Sequence, residues 1–243
     1  GTQIWPPFGS KPRKRCTPED IKAILAAVAA NDLEKTEALI DNGVDVNSQD
    51  EEKGGIPLIY LASMSGHAKM VRLLARRGAD VNACKRNGAS SVFIAAQAAH
   101  LDVLKALIQV GADLNLARRV DRATPLFKCA QKGHVEVAQV LLDAGAIVDR
   151  QDDTGATPLF IAAQEGHIHM VRLLLKSGAD ATKARDDGIT PISKADEKGH
   201  TAVAEILLDS IQSDNCGCEA AVQKIVSQPQ KPNTVQSSVC TIQ

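Results

Sequence analysis

Between residues 152 and 184 the apolar positions fall into two short helical blocks. In the first, Leu159, Ala162 and Ala163 recur at the spacing that places them on one helix face. Thr157 precedes the block as a capping residue, and Pro158 takes the first helical position, where a missing N–H does no harm. Gly166 ends it. A second helical pattern runs through Ile168, Val171, Leu173, Leu174 and Leu175 and closes at Gly178. The Ala-Asp stretch beyond has no helical pattern and leads to another Thr-Pro at Thr190-Pro191. Helices of about ten residues do not persist alone in water. Each such unit must bury its faces against its neighbours, which predicts a one-dimensional stack.

The unit repeats. Gly-His or a variant of it stands at Gly66-His67, Ala99-His100, Gly133-His134, Gly166-His167 and Gly199-His200, at spacings of 33, 34, 33 and 33. Eleven residues after each of the first four histidines lies Gly78, Gly111, Gly145 or Gly178, each followed by Ala. Ten residues before each histidine begins a short block: Pro57-Leu58-Ile59-Tyr60, Ser90-Ser91-Val92-Phe93, Thr124-Pro125-Leu126-Phe127, Thr157-Pro158-Leu159-Phe160 and Thr190-Pro191-Ile192-Ser193. Three markers in phase over five periods define a repeat.

These blocks resemble the ankyrin repeat, whose motif is Thr-Pro-Leu-His-x-Ala followed by Gly-His and Gly-Ala-Asp. The resemblance covers residues 17–212, about four-fifths of the chain by the repeat spacing. It implies an all-α solenoid of stacked helix-turn-helix units with short β-hairpin loops. The expected units are 17–49, 50–84, 85–117, 118–151, 152–184 and 185–212, the first and last being divergent caps. Thr17-Pro18-Glu19-Asp20 reads as a capping box, and Asn31-Asp32 replaces Gly-His in the first unit. In the last, Ala195-Asp196 breaks the Ala-Ala pair. The motif's histidine is replaced by Tyr60, Phe93, Phe127, Phe160 and Ser193, so stacked aromatics are expected in place of a histidine hydrogen-bond network. The third unit, with Ser90-Ser91 for Thr-Pro, is expected to be the least stable. Gly43 to Pro57 spans 14 residues and Gly111 to Thr124 spans 13, against 12 elsewhere, which puts insertions in the hairpin tips around 48–54 and 118–122.

Composition agrees with closely packed helices. Apolar residues make up 44% but aromatics only 2%, so Ala, Leu, Val and Ile must supply the core. The net charge of −1 gives no global pull toward nucleic acid or anionic membrane. Six scattered cysteines form no dense framework, which points to a reducing, intracellular setting, cytoplasmic first and nuclear as an alternative. The periodic histidines recur once per unit with no Cys or second carboxylate beside them, so no metal site is expected. His167 and His169 stand two apart and face different ways on a helix. No phosphate-cradling loop, nucleophile elbow or carboxylate pair stands out, so neither an enzyme activity, a cofactor nor a small-molecule substrate is expected.

The resemblance implies binding through the hairpin tips and the exposed ends of the first helices, with a protein partner and a monomeric chain. The matching tip positions are Lys53, Ile56, Arg86, Asn87, Ala89, Val120, Asp121, Ala123, Asp153, Thr154, Ala156, Asp186, Asp187 and Ile189, and the basic Arg118, Arg119 and Arg122 of the middle tips join them as candidate contacts. At the helix ends they are Met64, Ser65, Gln97, Gln131, Lys132, Gln164 and Glu165. Charge along the tips alternates: Asp50, Glu51 and Glu52 are acidic, the middle tips basic, and Asp152-Asp153 and Asp186-Asp187 acidic again. An acidic partner segment docking centrally is one reading, and solvated charge that merely keeps the stack soluble is the other. Gln97, Gln131 and Gln164 recur at one repeat position, as a polar ladder or as a family preference.

Residues 1–16 and 213–243 lie outside the repeat. The first carries Trp5-Pro6-Pro7-Phe8-Gly9, read as irregular linker, and the basic run Lys11-Pro12-Arg13-Lys14-Arg15, a nuclear-import or phosphate-binding candidate. The chain opens on Gly1 rather than Met, which leaves its native N-terminus open. Pro229 to Ser238 is rich in Pro, Gln, Ser and Asn, the composition of disorder. The final Cys240-Thr241-Ile242-Gln243 resembles a prenylation box, with Cys240 the lipidation site and Cys216 and Cys218 candidates for a second anchor. Three function classes follow: a protein-binding scaffold or adaptor, a prenylated membrane-tethered regulator, and the regulatory ankyrin portion of a larger enzyme.

Overall fold

The computed structural model describes residues 17–50 and 54–212. Within them the chain forms six helix pairs. These are α1 (Pro18–Ala29) with α2 (Leu33–Asp41), α3 (Leu58–Met64) with α4 (Ala68–Arg76), and α5 (Ser91–Gln97) with α6 (Leu101–Gln109). They continue as α7 (Pro125–Lys132) with α8 (Val135–Asp143), α9 (Pro158–Gln164) with α10 (Ile168–Lys176), and α11 (Pro191–Glu197) with α12 over residues 201–212. Consecutive first helices pack on one another to form one layer, and consecutive second helices form another. Between pairs the chain projects in hairpins. One is a short antiparallel ladder, β1 (Gln49–Asp50) with β2 (Ile56–Pro57), and another a single bridge between Cys84 and Ser90.

The caps read from sequence form as hydrogen bonds. The hydroxyls of Thr124, Thr157 and Thr190 accept from the backbone N–H three residues on, with Pro next in each case. Thr17 and Asp20 satisfy each other's backbone N–H in a capping box. Each such bond satisfies a donor that the first helical turn cannot. Small side chains let the first helices approach closely: Ala62, Ala95, Ala96, Ala130, Ala162 and Ala163 are fully buried. Leu74, Leu107, Leu141 and Leu174 fill the seam behind them at zero exposure. The core is one continuous ribbon from Ile24 to Leu207 rather than a central ball, the arrangement in which each unit depends on its neighbours.

The periodic histidines belong to this framework. Nε2 of His67, His100, His134, His167 and His200 lies 3.1–3.2 Å from the carbonyls of Ala29, Met64, Gln97, Gln131 and Gln164, each on the preceding unit. A second ladder runs between the loops behind the second helices. There Asn47, Asn82 and Asn115 accept from the backbone N–H groups of Asp80, Asp113 and Ile147 at 2.8–2.9 Å, and Asp149 accepts from Asp180 at 3.1 Å.

The aromatics at the histidine-replacement positions behave differently from the expected ring-on-ring stacking. Arg118 lies over the ring of Phe93 and Arg185 over that of Phe160, each reaching back from the hairpin of the next unit. A guanidinium over a π face is favourable because the ring face carries negative charge density. The third unit keeps its cap despite losing Thr-Pro: Ser90 Oγ accepts from Phe93 N–H at 3.1 Å. Ser91, standing where units four to six have Pro, buries its hydroxyl with no hydrogen-bond partner.

Candidate protein-binding surface

The hairpin tips are tied to one another by backbone. Arg86 N–H donates to Gly54 O, Arg119 N–H to Asn87 O, Asp153 N–H to Asp121 O, and Asp186 N–H to Thr154 O, at 3.0–3.3 Å. Each tip also closes on itself. Lys85 bonds to Ala89, Arg118 to Ala123, Asp152 to Ala156 and Arg185 to Ile189, at 2.9–3.0 Å. The fourth unit's loop is one residue longer than the others at this closure, which places the sequence-inferred insertion within 118–122. The extra residue lifts Val120 to 67% exposure. It also leaves Arg122 at φ 54, in the left-handed region where the neighbouring tips carry Gly88, Gly155 and Gly188.

The structure sorts the sequence-inferred residues into two groups. Asn87, Arg118, Asp121 and Asp187 serve the hairpins themselves. Asn87 Oδ1, Asp121 Oδ1 and Asp187 Oδ1 accept from Ala89, Ala123 and Ile189 N–H. Arg118 pairs with Asp121, its Nε 2.9 Å from Oδ1, and Arg185 pairs with Asp187. These pairs hold the Asp121 carboxyl below the usual carboxylate range and that of Asp187 at about 2, the guanidinium hydrogen bond being the first cause in both. Ile56 is a correction. It is 8% exposed because β2 turns it inward, where it joins the core instead of facing a partner.

The second group faces solvent. Arg86, Arg119, Arg122, Asp153, Thr154 and Asp186 are exposed on the tips. Met64, Ser65, Gln97, Lys132 and Glu165 are exposed at the helix ends, with Gln131 and Gln164 half-buried beside them. The glutamine ladder is not equivalent throughout: Gln131 Oε1 accepts from Lys128 Nζ at 2.7 Å, whereas Gln164 Nε2 donates to Glu165 at 3.0 Å. Lys128 is held below the ordinary lysine range by partial burial and by the nearby Arg118 charge. Adjacent basic tips touch closely, for a Cβ built on Gly88 would lie 2.5 Å from Arg119 Cγ. Arg86, Arg119, Val120 and Arg122 therefore form one patch, cationic with an apolar point, flanked by acidic tips. Val120 is one of the tip positions read from the sequence, and the one-residue insertion lifts it clear of the surface, whereas Ala89, Ala123 and Ala156, read as tip contacts too, are buried.

Lys53, the basic run 11–15 and Cys240 with its prenylation-like ending all lie outside the described residues. Among the described residues, no group of three or more His, Cys, Asp or Glu is placed to hold a metal ion. No described helix is long and apolar enough to cross a membrane.

A family profile for "Ankyrin repeats (3 copies)" matches residues 24–118 and 115–185. This chain belongs to the ankyrin-repeat family. An ankyrin repeat domain from Acinetobacter baumannii superposes with a TM-score of 0.71 at 29% identity, covering 77% of this chain and 96% of its own. The 2-5A-dependent ribonuclease of Homo sapiens is 38% identical over 77 residues, and that of Mus musculus 32% over the same length. Those matches take in 32% of this chain and 10% of each ribonuclease, so the likeness is to a stretch of ankyrin repeats. Ankyrin repeats are in general protein-interaction modules, and the exposed tips and helix ends described above are where this one offers side chains.

Proposed function

We propose that this chain is a scaffold that holds an acidic segment of a protein partner on its tip surface, centred on Arg86, Arg119 and Arg122, and that it works by binding rather than by catalysis. The observation that carries this reading is the patch itself. Three exposed cations sit on two consecutive tips that are hydrogen-bonded to each other, around a valine that is 67% exposed. An apolar point ringed by like charge suits a partner segment with carboxylates on both sides of an apolar side chain. The acidic tips on either side, with Asp50 before and Asp153 and Asp186 after, would repel such a segment if it slid along the row, and so fix its register.

The test is capture of partners from the source cell with cross-linking, read by mass spectrometry, with wild type beside a variant carrying Arg86→Glu, Arg119→Glu and Arg122→Glu. Cross-links are expected at the tips of units three and four. Capture is expected to fall at least about tenfold, which corresponds to roughly 1.4 kcal/mol of lost binding energy. Undiminished capture by a variant that retains its helical circular dichroism contradicts the proposal.

A further inference from the structure

We infer that the groove at the N-terminal end of the stack is a receptor for the chain's own Ile4-Trp5-Pro6-Pro7-Phe8 segment. The groove is ≈ 540 Å³, within the size range of sites that bury small ligands. Its walls are apolar side chains of α1 and α3, chiefly Ile21, Leu25, Leu61 and Met64, with Asp50 at its hairpin rim. Met64 stands 41% exposed there, among the most exposed large apolar side chains of the described residues.

The apolar wall is local to this end. At the position of Met64 the later units carry Gln97, Gln131, Gln164 and Glu197. At the position of Leu61 two of the four later units carry Lys128 and Lys194. A surface shared by all units for one extended partner would not change character after the second unit, so this end calls for a different occupant.

Residues 4–8 fit it on three counts. They hold two of the chain's six aromatic residues, including its one tryptophan. They are tethered where they are needed, since Pro18 lines the groove and Thr17 precedes it. The nine steps from Phe8 to Thr17 reach on the order of 30 Å when extended, while the twelve residues of α1 are about 18 Å long. The chain can therefore turn back along α1 and lay its rings on the apolar wall. The intervening Lys11, Arg13, Lys14 and Arg15 then pass a rim that carries Asp50, with Glu51 and Glu52 next in sequence. Opposite charge fixes the direction of entry. Because the tether makes docking intramolecular, a modest contact suffices for occupancy.

Trp5 is its own reporter, because no other tryptophan is present. The experiment is tryptophan fluorescence of the full chain with acrylamide quenching. The expected result is an emission blue-shifted from that of a free tryptophan amide and a quenching constant several-fold smaller, both independent of protein concentration. Met64→Asp, a change at an exposed position, is expected to restore solvent-like emission and quenching with the helical circular dichroism intact. Ile147→Asp, at an exposed apolar residue far along the stack, is expected to change neither. A solvent-like Trp5 in the wild-type chain overturns the inference. So does a shielded Trp5 that ignores Met64→Asp, and so does shielding lost on dilution, which would make the occupant a second copy. None of these outcomes bears on the basic patch at Arg86, Arg119 and Arg122.

Discussion

The guanidinium of Arg118 lies 5.2 Å from the centroid of the Phe93 ring, joining the hairpin of one repeat to the first helix of the repeat before it. Arg185 repeats the arrangement over Phe160 at 5.5 Å. In both cases the arginine also pairs with an aspartate of its own hairpin, Asp121 or Asp187. The ring that replaces the motif's histidine thus recruits a cation from the next tip. The contact stiffens the row of tips on which binding depends.

Arg118→Gln is expected to lower the stability of the stack by about 1–2 kcal/mol, combining a partly buried cation–π contact with loss of the Asp121 partner. A double-mutant cycle with Phe93→Leu, measured by urea denaturation, should return a coupling energy of about 0.5 kcal/mol or more. A cycle that closes with no coupling would show that the two groups are merely neighbours.

Ser91→Pro is expected to stabilise the third unit by about 0.5–1 kcal/mol. Position 91 is the first residue of α5, where proline is favoured, and Ser90 is already extended at ψ 168, as a residue before proline must be. The change also removes a buried hydroxyl that has no hydrogen-bond partner. Thermal unfolding should show a higher midpoint, and a lower one would mean that the hydroxyl is satisfied in solution.

Gly155→Ala and Gly178→Ala separate backbone strain from contact between tips. Both glycines have left-handed φ, +79 and +85, so both substitutions carry a backbone cost of about 1–2 kcal/mol. Only at Gly155 would the new methyl meet the next tip, 2.8 Å from the backbone nitrogen of Asp186, while nothing lies within 4 Å at Gly178. Urea titrations should rank Gly155→Ala as clearly the more damaging. Equal losses would argue that the tips are not in contact.

The carboxyls of Asp121 and Asp187 titrate below their unfolded values, near 4, with Asp187 at about 2. A group with a depressed folded pKa contributes its stability above the unfolded pKa and loses it as pH falls through the folded one. Both contributions should therefore be complete at neutral pH and be lost as pH falls below about 4, that of Asp187 down to about pH 2. Carboxyl NMR titration should find the Asp121 midpoint rising toward the ordinary range in Arg118→Gln. An unmoved midpoint would remove Arg118 as the cause.

Much of the stack could be read from the order of residues because its signals are local. A Thr-Pro start and a glycine stop recur within each unit, and the apolar spacing between them marks the buried face. What escaped the sequence depends on a neighbour in the adjacent repeat. Nothing near Arg118 in the chain reports that its guanidinium rests on Phe93, and tip-to-tip bonds such as Arg119 to Asn87 use backbone atoms that leave no side-chain signature. Ile56 was placed at a partner surface because tips are generally exposed. In this hairpin, however, both residues of β2, Ile56 and Pro57, are buried where the strand runs into α3. The unpaired character of the groove at Met64 likewise arises only when α1, α3 and the first hairpin are brought together.

The central claim is that a protein partner sits on the tips and the inner helix ends. Hydrogen–deuterium exchange of the captured complex tests it most directly. Slowed exchange is predicted over residues 85–98 and 118–132, with the outer helices α4, α6 and α8 unchanged. Protection confined to those outer helices, with the tips exchanging as they do in the free chain, would contradict the account.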